Sequence, residues 1–303
     1  MDIVGNRNIT SFLEKVTENK MLAHSYIFCG PKNIGKKTTA YWLASKLLNT
    51  ERERLYLHPD FMEAKPGENN IQKEEVDRII SRLSLSAFSG GYKILIINHA
   101  ELLNNASANA LLKTLEEPSK NTLILILTSE VGKLLPTIVS RSVILQFKLV
   151  PKKEIREFMK DKGQNAKECA DASCGRPGRA ITMMAQNWVQ CQKDSVEEFY
   201  NLFCGSMSGR LKTSSALFKN KEDSKRLILE RIELWAEIIR DVFLLKYNLN
   251  DEIIHKNSIN TLKAISEKRK ISQLSVLLAR IIKMRKLLRQ NINSQLMLEN
   301  LII

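Results

Sequence analysis

Residues 30–39 read GPKNIGKKTT, so a glycine is followed after four residues by Gly35 and Lys36. Glycines at that spacing let consecutive backbone N–H groups face phosphate oxygens at the start of a helix, where the helix dipole also favours an anion. The lysine after the second glycine reaches the terminal phosphates, and a hydroxyl on the next residue holds Mg²⁺. Here Gly30, Gly35 and Lys36 keep the cradle, but the hydroxyl position carries Lys37, which cannot ligate a cation. Thr38 lies one residue further on, about 100° round the helix, and is a poor substitute.

Hydrolysis also needs carboxylates at the end of a neighbouring strand, one for Mg²⁺ and one to position water. The apolar run KILII, residues 93–97, is the candidate strand, and it is followed by Asn98 and His99. An amide and an imidazole stand where two acids are required. With Lys37, three metal or water positions are altered together, and efficient ATP hydrolysis is not expected.

The surrounding pattern supplies the elements that a phosphate loop needs. SYIFC before Gly30 is β-prone, and KKTTAYWLASKLL after Gly35 has helical spacing at Ala40, Leu43, Ala44 and Leu47. An amphipathic helix over residues 9–19 carries Ile9, Phe12, Leu13 and Val16 on one face. Residues 71–85 read as a helix closed by Gly90-Gly91, and NASANALLKTLEE as one capped by Asn104 or Asn105 and stopped by Pro118. Glu116 and Glu117 lie at its negative end, which suits either an interface role or simple solvation. TLILILTS and SVILQF read as further buried strands, and strands alternating with helices predict a three-layer α/β domain to about residue 148.

Beyond Val150 the spacing is helical over 151–187, 192–218, 223–247, 257–268 and 271–290. Ile228, Ile232, Trp235, Ile239 and Val242 form a stripe of the width that a packed helix presents. Pro151 and the turn from Gly175 to Gly178 are the natural joints.

A length of 303 residues suits two or three domains, and 26% charged with 44% apolar residues describes a soluble, globular chain. No stretch of eighteen uncharged apolar residues and no secretory pattern occurs, so a cytoplasmic location and no membrane contact are expected. Forty-seven Lys and Arg against thirty-three Asp and Glu leave +14, which favours a polyanionic partner or a solvated basic surface. Cys29, Cys169, Cys174, Cys191 and Cys204 form no C-x-x-C pair, and neither a metal site nor a disulfide framework is indicated.

MLAHSYIFCGP, HPDF, YKILIINHAELLNNASANALLKTLEEP, LLPTIVSRS and GRPGRAI together resemble the clamp-loader subunits of bacterial DNA polymerase III, and the delta-prime type most of all. The likeness covers about residues 5–185. It implies an AAA+ fold: an α/β phosphate-loop domain over 1–148, a small helical lid over 149–188 and a helical collar for oligomerisation over 189–303. It also implies partners, namely gamma/tau-type motor subunits, a clamp-opening delta-type subunit and the sliding clamp, with primed DNA met through the assembled complex.

In that family the delta-prime member typically does not hydrolyse ATP, which agrees with the losses at Lys37, Asn98 and His99. The resemblance places Asn98 and His99 at the Walker B positions, Thr128 or Ser129 at the sensor-one position, and the lid's sensor-two position near Gly178. Arg141, in Ser140-Arg141-Ser142 where the family has Ser-Arg-Cys, is implied to be an arginine finger that reaches a neighbour's nucleotide. Without the motif Arg141 would be a surface arginine paired with a local carboxylate. Relatives often carry a four-cysteine zinc module after the phosphate-loop helix; NTERERLYLHPDF has no cysteine there, so no zinc is expected. No cofactor is required, and weak ATP or ADP binding through Gly35 and Lys36 is compatible with the motif. The alternatives are an active motor subunit, which the missing carboxylate pair opposes, and a basic DNA-binding regulator, which lacks a helix-turn-helix signature.

Overall fold

A computed structural model describes residues 3–67, 70–88, 91–186, 188–217, 224–287 and 294–302. Gly90 therefore lies outside the described residues, as do parts of the helical segments expected over 151–187, 192–218, 223–247 and 271–290. The chain divides into two compact units, with the boundary between Thr182 and Met183.

The first unit is built on five parallel strands: β1 (Ser25–Cys29), β2 (Phe61–Ala64), β3 (Lys93–Ile97), β4 (Thr122–Thr128) and β5 (Val143–Gln146), in the order β2-β3-β4-β1-β5. Every residue of β1, β3 and β4 is buried, as continuous apolar runs in the middle of a parallel sheet require. Because β4 separates β1 from β3, the end of β4 lies between the glycine loop and Asn98-His99. Thr128 is in register with Cys29, and Ile126 with Ile97.

Two strands depart from expectation. SVILQF does form a strand, but β5 is an edge paired only with β1, and Val143 and Ile144 are 40% and 44% exposed rather than buried. FMEA carries no strand signal, being four residues with a glutamate, yet it forms β2. Its Glu63 is tolerated because Lys37 lies 2.9 Å from one carboxylate oxygen and the Tyr41 hydroxyl donates to the other at 2.7 Å.

Helices α1 (Arg7–Glu18), α2 (Lys36–Leu48), α3 (Lys73–Ser84), α4 (Asn105–Glu116) and the short α5 (Pro136–Val139) complete the α/β part. Ile9 and Leu13 of α1 are buried, whereas Phe12 is 39% exposed and belongs to the outer face. Asn104 is the cap of α4, accepting from the Ser107 N–H at 2.8 Å. The segment expected as a lid holds α6 (Lys152–Met159), α7 (Ala166–Ala172) and α8 (Pro177–Ala185), and most of it belongs to the first unit. The cysteine-free segment after α2 forms a 3-10 turn, Arg52–Leu57, and Tyr56 packs edge-on against Tyr41 and Phe61 with ring centres 5.7–5.8 Å apart.

The second unit is helical: α9 (Trp188–Cys204), α10 (Met207–Leu217), α11 (Ser224–Lys246), α12 (Ile259–Lys268), α13 (Ile271–Leu287) and α14 (Ser294–Ile302). The helical spacing over 192–218 is shared between α9 and α10, which part at Gly205, where a Cβ would stand 2.5 Å from the Asn201 carbonyl oxygen. Ile228, Ile232, Trp235, Ile239 and Val242 are all buried in one core, with Trp235 edge-on to Phe203 at 5.4 Å. Among the described residues no helix is long and apolar enough to cross a membrane, and no cluster of three or more His, Cys, Asp or Glu could hold a metal.

Candidate nucleotide-binding cleft

At the end of β1 the chain must pass the end of β5. A Cβ on Gly30 would meet the Phe147 carbonyl oxygen at 2.5 Å, and its φ of +153° suits glycine alone. The loop then curls through Asn33 (φ 61°) and Gly35 (φ 106°) into α2, whose first N–H groups have no intrahelical acceptor. The loop is braced from α8, where Gly178 donates its N–H to the Asn33 carbonyl at 2.9 Å. A Cβ on Gly178 would lie 3.0 Å from that oxygen, so the position near which a sensor-two arginine is expected is held by a glycine packed onto the loop.

The loop borders a cleft of about 270 Å³. Gly35, Lys36, Lys37, Thr38, Asn98, His99, Thr128 and Ser129 all line it, so one site collects most of the residues singled out by the sequence. Gly30, at the start of the loop, and Arg141 do not line it.

Lys36 is turned onto its own loop, donating to the carbonyls of Gly30 at 2.5 Å and Pro31 at 2.8 Å. Burial lowers its pKa, and the negative charge of Glu101 acts in the opposite sense. The Lys37 ammonium is engaged 2.9 Å from Glu63 and 5.0 Å from the centre of the Tyr41 ring. The Asn98 side chain accepts from the His99 N–H at 3.1 Å, and His99 adopts a left-handed φ of 53°.

Glu101 was not singled out by the sequence, because it lies two residues beyond the expected acidic pair. A 3-10 turn, Ala100–Leu102, swings it back to the cleft, where its side chain is only 10% exposed. One carboxylate oxygen accepts from the Thr128 hydroxyl at 2.9 Å and the Ser129 N–H at 3.3 Å; the other accepts from the Ser129 hydroxyl at 2.9 Å. His99 Nδ1 lies 3.6 Å away. Burial alone would raise the pKa of Glu101, but the nearby His99 ring and hydrogen bonds from its own backbone, Ser129 and Thr128 outweigh it and hold the group well below the usual carboxylate range. A glutamate placed between Ala100 and Leu102, close behind a buried strand, is the signal that could have exposed it.

The loop, the helix N-terminus and Lys36 fit a phosphate. Mg²⁺ does not fit, because it demands octahedral oxygen ligands, Lys37 replaces the hydroxyl, and the carboxylate at hand is already occupied by three donors. Arg141, in the turn before β5, pairs with Glu116 at 2.7 Å and donates to the Thr137 carbonyl at 3.0 Å. Its side chain is 35% exposed and Glu116's is 49% exposed, so Glu116 has a partner at the end of α4 rather than solvation alone.

The sheet order, the glycine loop and the helical segments define an AAA+ phosphate-loop domain followed by a helical module. A family model described as DNA polymerase III, delta subunit, matches residues 5–151, and one described as DNA polymerase III, delta subunit, C terminal, matches residues 186–303. The DNA polymerase III subunit delta' of Bacillus subtilis is 23% identical over 322 aligned positions, covering 97% of this chain and 94% of that protein. The subunit delta' of Pseudomonas aeruginosa is 36% identical over 137 positions, 40% of this chain and 42% of that protein. A crystal structure of a DNA polymerase III, gamma subunit-related protein from Thermotoga maritima covers 96% of this chain and 97% of its own, with a TM-score of 0.58 at 18% identity, and so is alike in fold. The chain belongs to the delta-prime family of DNA polymerase III subunits.

Proposed function

We propose that the protein is the non-hydrolysing delta-prime member of a clamp loader. It joins gamma/tau-type motor subunits and a delta-type subunit in the cytoplasm, helps place the sliding clamp on primed DNA, and donates Arg141 in trans to a neighbour's nucleotide. One observation carries this reading: a phosphate loop of intact shape in which the Lys37 ammonium is committed to Glu63, with Asn98 and His99 where acids are required. Without a metal site the cleft lacks the charge neutralisation that phosphoryl transfer needs. Arg141 stands outside that cleft, in an accessible turn before β5 and beside the end of α4, which suits an action on a neighbour. No cofactor is needed for this role, and any ADP or ATP is held weakly through Gly35 and Lys36. The basic charge of +14 accords with work beside a polyanion.

The test is reconstitution with motor subunits, a delta-type subunit, clamp and primed DNA. The isolated chain should turn over no ATP, and its addition should be required for clamp- and DNA-stimulated ATPase of the complex. Steady-state hydrolysis by the isolated chain that Lys36→Ala abolishes would overturn the reading.

A further inference from the structure

The cleft contains an anion site that is already filled by the chain itself. The hydroxyls of Thr128 and Ser129 and the Ser129 N–H converge on Glu101 from the end of β4, at 2.9, 2.9 and 3.3 Å. That strand end lies beside the start of the glycine loop, since Gly30 donates its N–H to the Thr128 carbonyl at 3.2 Å. A row of phosphates that begins in the loop and continues along the cleft therefore meets the donors of Thr128 and Ser129, and finds a carboxylate on them.

We propose that Glu101 determines which nucleotide the cleft prefers: it takes the donors that a terminal phosphate would need, so the cleft holds a nucleoside diphosphate more tightly than the triphosphate. This rests on reading the cleft as a nucleotide site, and it goes beyond the absence of hydrolysis. A third phosphate brings further negative charge toward a buried carboxylate. Like charges in a partly buried site repel strongly, and Lys37 stands where a hydroxyl would be needed to hold a neutralising Mg²⁺. Displacing Glu101 instead would strip a nine-tenths-buried carboxylate of its three donors, which is costly. A purely structural Glu101 predicts something different, because a glutamine of the same size would still accept from Thr128 and Ser129 while leaving nucleotide preference unchanged.

The experiment titrates ADP and ATP, each with and without Mg²⁺, into the full-length protein and into Glu101→Gln by calorimetry. The wild type should bind ADP at least about ten-fold more tightly than ATP, a difference of about 1.4 kcal/mol. Glu101→Gln should raise ATP affinity by about ten-fold or more and change ADP affinity by less than about three-fold. Equal affinity of the wild type for the two nucleotides overturns the proposal, and that measurement does not depend on how the variant folds. An unchanged ADP-to-ATP ratio in Glu101→Gln overturns it too, as does failure of either nucleotide to bind either protein. The role in the clamp loader is read separately, from the ATPase of the motor subunits in the complex. Loss of that stimulation therefore counts against the role and not against the function of Glu101.

Discussion

Glu101 in the first unit and Asp241 in the second are both carboxylates withdrawn from water and surrounded by donors. Asp241 is fully buried, and one of its oxygens accepts from the backbone N–H groups of Ile254 and His255 at 2.9 and 2.8 Å, with His255 Nδ1 2.7 Å away. Besides the Arg240 guanidinium, 3.3 Å from its other oxygen, its partners are backbone N–H groups and the ring of the one segment it pins to α11, and it sits in a packed unit whose neighbouring stripe is Trp235, Ile239 and Val242. Glu101 is held by hydroxyls on a different strand and lines a cleft. Burial and hydrogen-bond count do not separate a structural carboxylate from a site carboxylate. Opening onto a cavity, next to a phosphate loop, does.

The same contrast divides the two units. In the first, polar groups at the ends of parallel strands are gathered round a cleft; in the second, apolar stripes do nearly all the packing. The strongest way to break this division is to end the chain at residue 186. The first unit should keep its sheet, seen as cooperative unfolding, while sedimentation with the motor subunits should show complete loss of assembly. Normal assembly would mean that the helical unit is not what holds the subunit in the complex.

Next in size is Arg141→Ala, which should lower the ATPase of the adjoining motor by roughly 10³-fold or more, the usual worth of a finger supplied in trans, with assembly intact. Arg141→Lys should rescue little, because an ammonium lacks the planar two-point geometry. Glu116→Gln provides the control. Its pair with Arg141 is solvent-exposed and worth about 1 kcal/mol or less in stability, so the motor rate should hold or rise as the arginine is released.

A third comparison sets the two carboxylates against each other in stability. Asp241→Ala leaves the backbone N–H groups of Ile254 and His255, the His255 ring and Arg240 without their acceptor and should cost about 3 kcal/mol in urea unfolding. Glu101→Gln retains acceptors for Thr128 and Ser129 and should cost about 1 kcal/mol. Equal losses would remove the distinction between staple and site.

The smallest effect is a pH dependence. The pKa of Glu101 is lower in the folded protein than in the unfolded chain, so its stabilising contribution is present above the ordinary carboxylate value and is lost as pH falls through the folded one. The stability difference between wild type and Glu101→Gln should be constant above about pH 5 and shrink below about pH 4.3. A difference that grows in acid would contradict the sign of the shift.

Much of the fold is legible along the chain. The apolar runs of β1, β3 and β4 are buried strands, Pro118 follows the end of α4, and the stripe from Ile228 to Val242 is core. Continuous apolar runs leave little choice of environment, and proline disfavours the helical conformation in the residue before it. β2 was not legible, because Glu63 looks unsuited to a buried strand until Lys37 and Tyr41 arrive from a helix more than twenty residues earlier. Nor was the exposure of β5 or Phe12, since an apolar residue on an edge strand or an outer helix face has the same local spacing as a buried one.

The sequence by itself determined that a glycine loop would open a helix, that its hydroxyl and acidic partners were absent, and that an arginine would stand in the turn before β5. These follow from residue type and short spacing. Only the tertiary structure decided what those residues touch. It committed Lys37 to Glu63, folded Lys36 onto Gly30 and Pro31, paired Arg141 with Glu116, and brought Glu101 to Thr128 and Ser129. Apart from Lys36, each of these partners comes from an element more than twenty residues away. Sheet order sets such distances, and local propensity carries no record of it.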